Sequence, residues 1–251
     1  MGYNWHWRVL FETEPGGTGS YLHYLIVGLG WTLATALAAW ILALAIGSII
    51  GTLRTTRNKW VVRAGNLYVE IFRNVPLIVQ MFLWFFVVPE FLPKGLGDWI
   101  KQVPPPWGSY IPAVLCLGIY TSVRIAEQVK SGINSLARGQ RMAGTALGLT
   151  LGQSYRYVVL PQAFRIILPP LTSESMNIVK NSSVALTIGL LELTGRARAM
   201  QEFSFKVFEA FAAATAIYLI TNLVVVFAMR ALEKKVRVPG LISASAPAGG
   251  H

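Results

Sequence analysis

Residues 22–53 read LHYLIVGLGWTLATALAAWILALAIGSIIGTL, a run without a single Lys, Arg, Asp or Glu. A helix rises 1.5 Å per residue, so this run crosses a ~30 Å hydrocarbon core with length to spare. Four further apolar runs come after it. Residues 74–89 contain VPLIVQMFLWFFVVP; residues 103–123 open on Pro104, Pro105 and Pro106; residues 166–191 are interrupted by Glu174 and Lys180; residues 210–229 carry no charge. The second run reaches spanning length only by starting near Ala64, which draws Glu70 and Arg73 into its first turns. Trp60, Trp84, Trp99, Trp107 and Tyr110 flank the runs, as amphipathic rings do at headgroup level. The reading is an all-α membrane protein with about five transmembrane helices. Composition agrees: of 251 residues 54% are hydrophobic and 13% charged, where a soluble domain carries about 25% charged. This excludes a disordered chain and weighs against an ordinary soluble domain.

Charge sets the orientation. The net charge is +11, and most of the basic residues fall into three of the six segments flanking the runs. These are Arg54, Arg57, Lys59 and Arg63; then Lys130, Arg138, Arg141, Arg156 and Arg165; then Arg230, Lys234, Lys235 and Arg237. The positive-inside rule places those segments in the cytoplasm, the N-terminus outside and the C-terminus inside. The basic residues form no continuous face with interleaved aromatics, so nucleic acid is not an expected partner. Residues 1–21 hold Arg8, Glu12 and Glu14 without the apolar core of a cleavable signal, and read as an external N-terminal segment. Residues 22–239 read as the transmembrane domain, and residues 240–251 as a disordered cytoplasmic tail.

The segment of about 130–165 is too long for a simple connector. Met142, Ala143, Ala146, Leu147, Leu149 and Leu151 suggest a short amphipathic helix, broken around Gly148 and Gly152, and Pro161 stops or kinks the next piece before the fourth span. Such a helix either docks a partner through its small residues or rests on headgroups. Gly28, Gly30, Gly47 and Gly51 read as close-packing sites on the first span. Cys116 reads as a small core residue; His6, His23 and His251 are too scattered for a metal site, and none is expected.

Arg73, Arg124 and Lys180 sit in or near spans, where each costs several kcal/mol unless paired or wetted. Arg124 and Glu127 share a helix face, and Lys180 is followed by the hydrogen-bonding Asn181, Ser182 and Ser183. Two readings stand. In one, these six residues line a pathway for an anionic solute, Arg124 offering a bidentate fork and Lys180 a point charge. In the other, Arg124 pairs with Glu127 and Lys180 with Glu174, locking helices together. Glu70 and Arg73 read as a structural pair at a helix end.

The long loop resembles the cytoplasmic EAA loop in membrane subunits of bacterial ATP-binding-cassette importers. That signature runs Glu-Ala-Ala, three residues, Gly, nine residues, Ile, one residue, Leu-Pro. Here Met142, Ala143 and Gly144 stand at its head, followed by Gly148, Val158, Leu160 and Pro161. Met142 replaces the Glu and Gly144 the second Ala. EIFRNVPLIVQ at 70–80 resembles the start of the second span in the polar amino acid permeases. Glu127 and Lys130 fall where those have a Glu-x-x-Arg pair before a Gly-Gln, here Gly139 and Gln140. RIAEQV at 124–129, PPLTSESMNIVKNSS at 169–183 and EKKVRVPG at 233–240 are most similar to the glutamate/aspartate permeases.

The resemblance implies a type I importer permease fold, with the loop serving as a coupling helix and Gly139, Gln140, Met142, Ala143, Gly144, Gly148, Leu160 and Pro161 facing an ATPase. It implies two ATP-binding-cassette ATPase subunits that hold ATP and Mg, a second permease that makes a heterodimer, a periplasmic solute-binding protein, an amino acid as cargo, and the bacterial inner membrane. No cofactor is expected on this chain, which has no G-x-x-x-x-G-K-[ST] phosphate loop and is not read as an enzyme. The rival readings are an ion-coupled secondary transporter for amino acids and a membrane-embedded enzyme built on Lys180 and the serines beside it.

Overall fold

The computed structural model describes residues 3–17, 19–136, 139, 146 and 148–236. It is all-helical among these residues, apart from one isolated β-bridge between Thr13 and Ser20. The order is α1 (Tyr21–Leu53), α2 (Lys59–Asn74), α3 (Leu77–Phe82), α4 (Val88–Phe91), α5 (Lys94–Lys101), α6 (Trp107–Asn134), α7 (Leu151–Ser154), α8 (Leu160–Asn181), α9 (Leu193–Ser204) and α10 (Val207–Val236). Helix starts follow local chemistry. Ser20 accepts from the His23 amide, Asn58 from the Trp60 and Val61 amides, and Thr150 and Gln153 form a reciprocal capping box.

By length and composition α1, α6 and α10 can each cross a membrane, and the α2–α4 run makes a fourth if counted as one span. That run is not the straight helix starting near Ala64 that the sequence suggests. Val75, held extended (ψ 127°) ahead of Pro76, breaks it, and the two halves meet at 102°. The buried Gln80 amide donates to the Phe72 and Val75 carbonyls, satisfying the end of α2 across the bend. Trp84 lies inside this run, half-buried and packed against the core. The third expected span ends late: α6 continues past Val123 to Asn134, so Arg124, Glu127 and Lys130 are helical and the connector is shorter than expected.

Two π-turns share a cause. Leu83–Val87 precedes Pro89 and Tyr155–Val159 precedes Pro161. Each proline lacks an amide donor and crowds the preceding turn, and the wider turn accommodates it. Pro161 therefore sits in the first turn of α8 and does not stop the chain. Gly148 does break it, at φ +74°, a conformation costly for any residue with a Cβ; Gly152 lies inside α7. Gln140, Met142, Ala143, Gly144 and the 240–251 tail lie outside the described residues.

The core is α1 laid along α6. A Cβ at Gly47 would lie 2.7 Å from the Ser122 carbonyl oxygen, and one at Gly51 2.7 Å from that of Ala126, so hydrogen at these positions is what lets the backbones touch. Gly28 meets the Leu193 Cα in the same way, whereas Gly30 faces open space and is no packing site. Cys116 is buried beside Ala113 and Leu117 in this core. Outward, α1 presents Leu33, Leu37, Ile41 and Ile49, and α10 presents Leu219, Ile220, Leu223, Val224 and Phe227.

Candidate functional site

On α6 the exposed positions change character along the helix. Trp107, Ile111 and Leu115 form an apolar stripe at one end. Toward the other end Tyr120, Arg124, Glu127 and Ser131, spaced by four, three and four residues, form a polar stripe on a different face. On α8, Ser173, Glu174, Asn177, Lys180 and Asn181 share one polar face at helical spacing. The two helices pack side by side, and Arg124 reaches Glu174 across the boundary, Nη1 to Oε2 at 3.7 Å. The Arg124 guanidinium also donates from Nη2 to the Tyr120 hydroxyl (3.1 Å) and lies 5.3 Å from that ring's centre.

The pairing therefore differs from either expected pair. Arg124 pairs with Glu174, not Glu127, because Glu174 approaches from the neighbouring helix. Glu127 pairs with Arg54 at 2.9 Å. Arg54 caps the end of α1 and turns inward, its side chain only 5% exposed, with Nε donating to Asn66 on α2 at 2.8 Å. This residue counts as a loop charge in the sequence, yet it ties α1, α2 and α6 together. Gly65 gives it room: a Cβ there would meet the Arg54 Cγ at 2.6 Å.

Lys180 is exposed at the end of α8 and makes no ion pair within 4.0 Å among the described residues; Glu174, its expected partner, is taken by Arg124. Asn181 ends α8 and is half-buried. The Ser182 and Ser183 hydroxyls donate to the Val179 and Lys180 carbonyls, so both close the helix end. Both hydroxyls are engaged by backbone carbonyls, and among the described residues neither forms a hydrogen bond with the Lys180 amine. Glu70 and Arg73 form no ion pair among the described residues; they lie on α2 before the bend, and Arg73 occupies the last turn, where a cation suits the helix dipole. Among the described residues of the long loop, Gly139 and Gly148 are exposed with open space around them, while Leu160 and Pro161 open α8. Tyr155, in the π-turn just before, donates its hydroxyl to the Thr55 carbonyl at 2.9 Å and fastens this region to the end of α1.

A second polar cluster gives almost no sign of itself in the sequence. Glu192 is fully buried and caps α9, accepting from the Gly195 amide at 2.8 Å. It also accepts from Thr32 on α1 (3.2 Å) and from the Tyr218 hydroxyl on α10 (2.7 Å). The Thr32 hydroxyl in turn accepts from the Leu193 amide at 3.1 Å. The only signal in the sequence is a Glu in an apolar string, which says that a partner exists without naming it. At the start of α10, buried Glu209 accepts from the Tyr3 hydroxyl and the His6 amide, so the N-terminal segment folds back onto that helix.

Known proteins resemble this chain along nearly its whole length. Residues 43–238 match the family model of the binding-protein-dependent transport system inner membrane component. The Escherichia coli (strain K12) glutamate/aspartate import permease protein GltJ is 45% identical over 241 residues, 96% of this chain and 98% of its own length. The E. coli glutamine transport system permease protein GlnP is 32% identical over 79% of this chain and 88% of its own. A crystal structure of an amino acid ABC transporter with histidines superposes with a TM-score of 0.72 at 28% identity, covering 86% of this chain and 95% of that one. An inward-facing MetNI methionine ABC transporter, at 19% identity and a TM-score of 0.72, shares the fold. A helical bundle with apolar flanks, a polar face across α6 and α8 and these matches lead to one conclusion: the chain belongs to the family of inner membrane components of binding-protein-dependent transport systems.

Proposed function

We propose that this chain is a pore-forming transmembrane subunit of an ATP-driven amino acid importer, and that its substrates are glutamate and aspartate. The observation that carries the reading is the 45% identity to a glutamate/aspartate import permease over 96% of the chain. The polar face supports it. In hydrocarbon a polar row with Arg124, Ser173 and Lys180 exposed and Tyr120, Glu174 and Asn177 half-buried beside them is costly, so it faces a companion subunit and the water-lined path between them. An anionic cargo needs positive potential and close donors, and among the described residues Arg124 and Lys180 are the cations on that face.

In this reading there are five spans: α1, the bent α2–α4 run, α6, α8 and α10. The N-terminus is external and the C-terminus cytoplasmic, as the loop charges favour. Two ATPase subunits hold ATP and Mg and seat the loop around Gly139, Gln140, Met142, Ala143 and Gly144. A second, related permease completes a heterodimeric pore, and a periplasmic binding protein delivers the amino acid. This chain binds no cofactor of its own and does no covalent chemistry. Closure of the ATPase pair pulls on the loop. Tyr155 and Arg54 pass that movement to α1, α2 and α6, because they bond those elements directly.

The test is ATP-dependent uptake of labelled glutamate into proteoliposomes holding this chain, its companion permease, the ATPase and the binding protein. Uptake with ATP, lost on Arg124→Ala in a complex that still assembles, is the expected result. Uptake by this chain alone under a proton or sodium gradient overturns the importer reading. Normal uptake by Arg124→Ala overturns the role of that residue.

A further inference from the structure

The ion pair between Arg124 and Glu174 is loose, unlike the other Arg–Glu pair between helices. Nη1 and Oε2 stand 3.7 Å apart, beyond hydrogen-bond distance, whereas Arg54 and Glu127 close to 2.9 Å. Arg124 has five N–H donors in a fixed fork, and among the described residues one of them is used, on Tyr120. Its side chain is 43% exposed on the polar face of α6, so the rest of the fork is open. The Glu174 side chain is only 12% exposed and comes from the adjoining helix, so its carboxylate is held at the edge of the fork by packing. A guanidinium alone at membrane depth is costly; a carboxylate held nearby relieves that cost without saturating the donors. A free carboxylate can do better, by taking two parallel N–H bonds from the fork.

We propose that Glu174 is a built-in stand-in for the substrate's side-chain carboxylate: it neutralises Arg124 while the pathway is empty, and an arriving dicarboxylate amino acid displaces it from the fork. The inference rests on the reading of Arg124 as a pathway residue. Its consequence is a weak hold. The free energy of the Arg124–Glu174 pair is subtracted from substrate binding, so the cargo is recognised by its second carboxylate yet released on each cycle. Conduction requires just that compromise, favourable enough to enter and weak enough to leave. Glu174 is thus a specificity and release residue that acts through Arg124.

The experiment measures binding of labelled glutamate to the assembled permease pair and ATPase in nanodiscs, without binding protein, together with the uptake rate of the reconstituted system. Glu174→Gln keeps size and hydrogen bonding but removes the competing charge. It is expected to tighten glutamate binding about twofold, the factor that so loose a pair withholds, and to slow uptake at saturation by a similar factor. Glu174→Asp withdraws the carboxylate by one methylene and is expected to tighten binding by a smaller factor, which keeps the test alive if the Gln variant assembles poorly. Arg124→Ala separates the two layers of the argument. If it loses glutamate binding while both Glu174 variants bind unchanged or more weakly, Arg124 belongs to the pathway and Glu174 merely supports it, which overturns the stand-in. If Arg124→Ala binds glutamate normally, the pathway reading of Arg124 falls, and the stand-in with it.

Discussion

Glu192 and Glu174 are both carboxylates in an apolar bundle, and their surroundings could hardly differ more. Glu192 is fully buried, forms no ion pair among the described residues, and is filled by Thr32, Tyr218 and the Gly195 amide from three helices. Glu174 meets a cation, at a distance too long for a hydrogen bond, on a half-open face. A saturated polar cluster holds one arrangement, because any motion strands buried groups. An unsaturated pair at a pore face costs little to rearrange and leaves donors for a ligand. Completeness of bonding, more than charge or burial, separates the scaffold from the moving part.

The comparison breaks most easily at Glu192. Glu192→Ala takes one buried acceptor from the Thr32 and Tyr218 hydroxyls and the cap from the α9 start, and is expected to destabilise the subunit by about 3 kcal/mol. Thermal unfolding of the assembled complex checks it, and a shift no larger than that of an exposed Glu→Ala control removes the scaffold role. Gly47→Ala pushes a methyl into the Ser122 carbonyl and should cost about 2 kcal/mol by the same assay. Gly30→Ala should cost nothing measurable, since open space lies there.

Arg54→Lys sharpens the distinction further. An ammonium cannot span Asn66 and Glu127 with one planar fork, so about 1 kcal/mol should be lost. If Arg54 transmits movement from the loop, ATP hydrolysis by the assembled complex should respond less to loaded binding protein in this variant. Unaltered stimulation would confine Arg54 to a structural role. Among the charge variants the smallest effect on stability belongs to Arg124→Ala, within about 0.5 kcal/mol of wild type because its pair is loose and its own side chain half-exposed, even though glutamate uptake is lost. A large drop in stability there would erase the contrast between the two carboxylates.

Legibility in the sequence depends on how local each signal is. Span 1 is a continuous apolar run, and α1 begins one residue before it and ends with it. Gly47 and Gly51 are readable as packing sites because small residues at helical spacing announce close approach; Gly30 carries the same signal but points elsewhere. The bend at Val75–Pro76 is within reach of the sequence, since a residue before proline resists the helical region, but the apolar run masks it. The partners of the charges are out of reach. Arg124 lies near Glu127 in sequence, but Glu174, fifty residues away, lies across the helix boundary, and Arg54 and Glu127 are brought together by α1 packing along α6.

By itself the sequence determined the helical, membrane-embedded class, the direction its loop charges favour, and the family, because apolar run length, charge count and motif spacing are all properties of the chain read in order. Only the tertiary structure decided which carboxylate meets which cation, that the hydroxyls of Ser182 and Ser183 close a helix end, and that Glu192 is a three-helix hub. Those outcomes depend on the angle and register at which distant helices pack. Many weak contacts fix that register jointly, and no single stretch of residues encodes it.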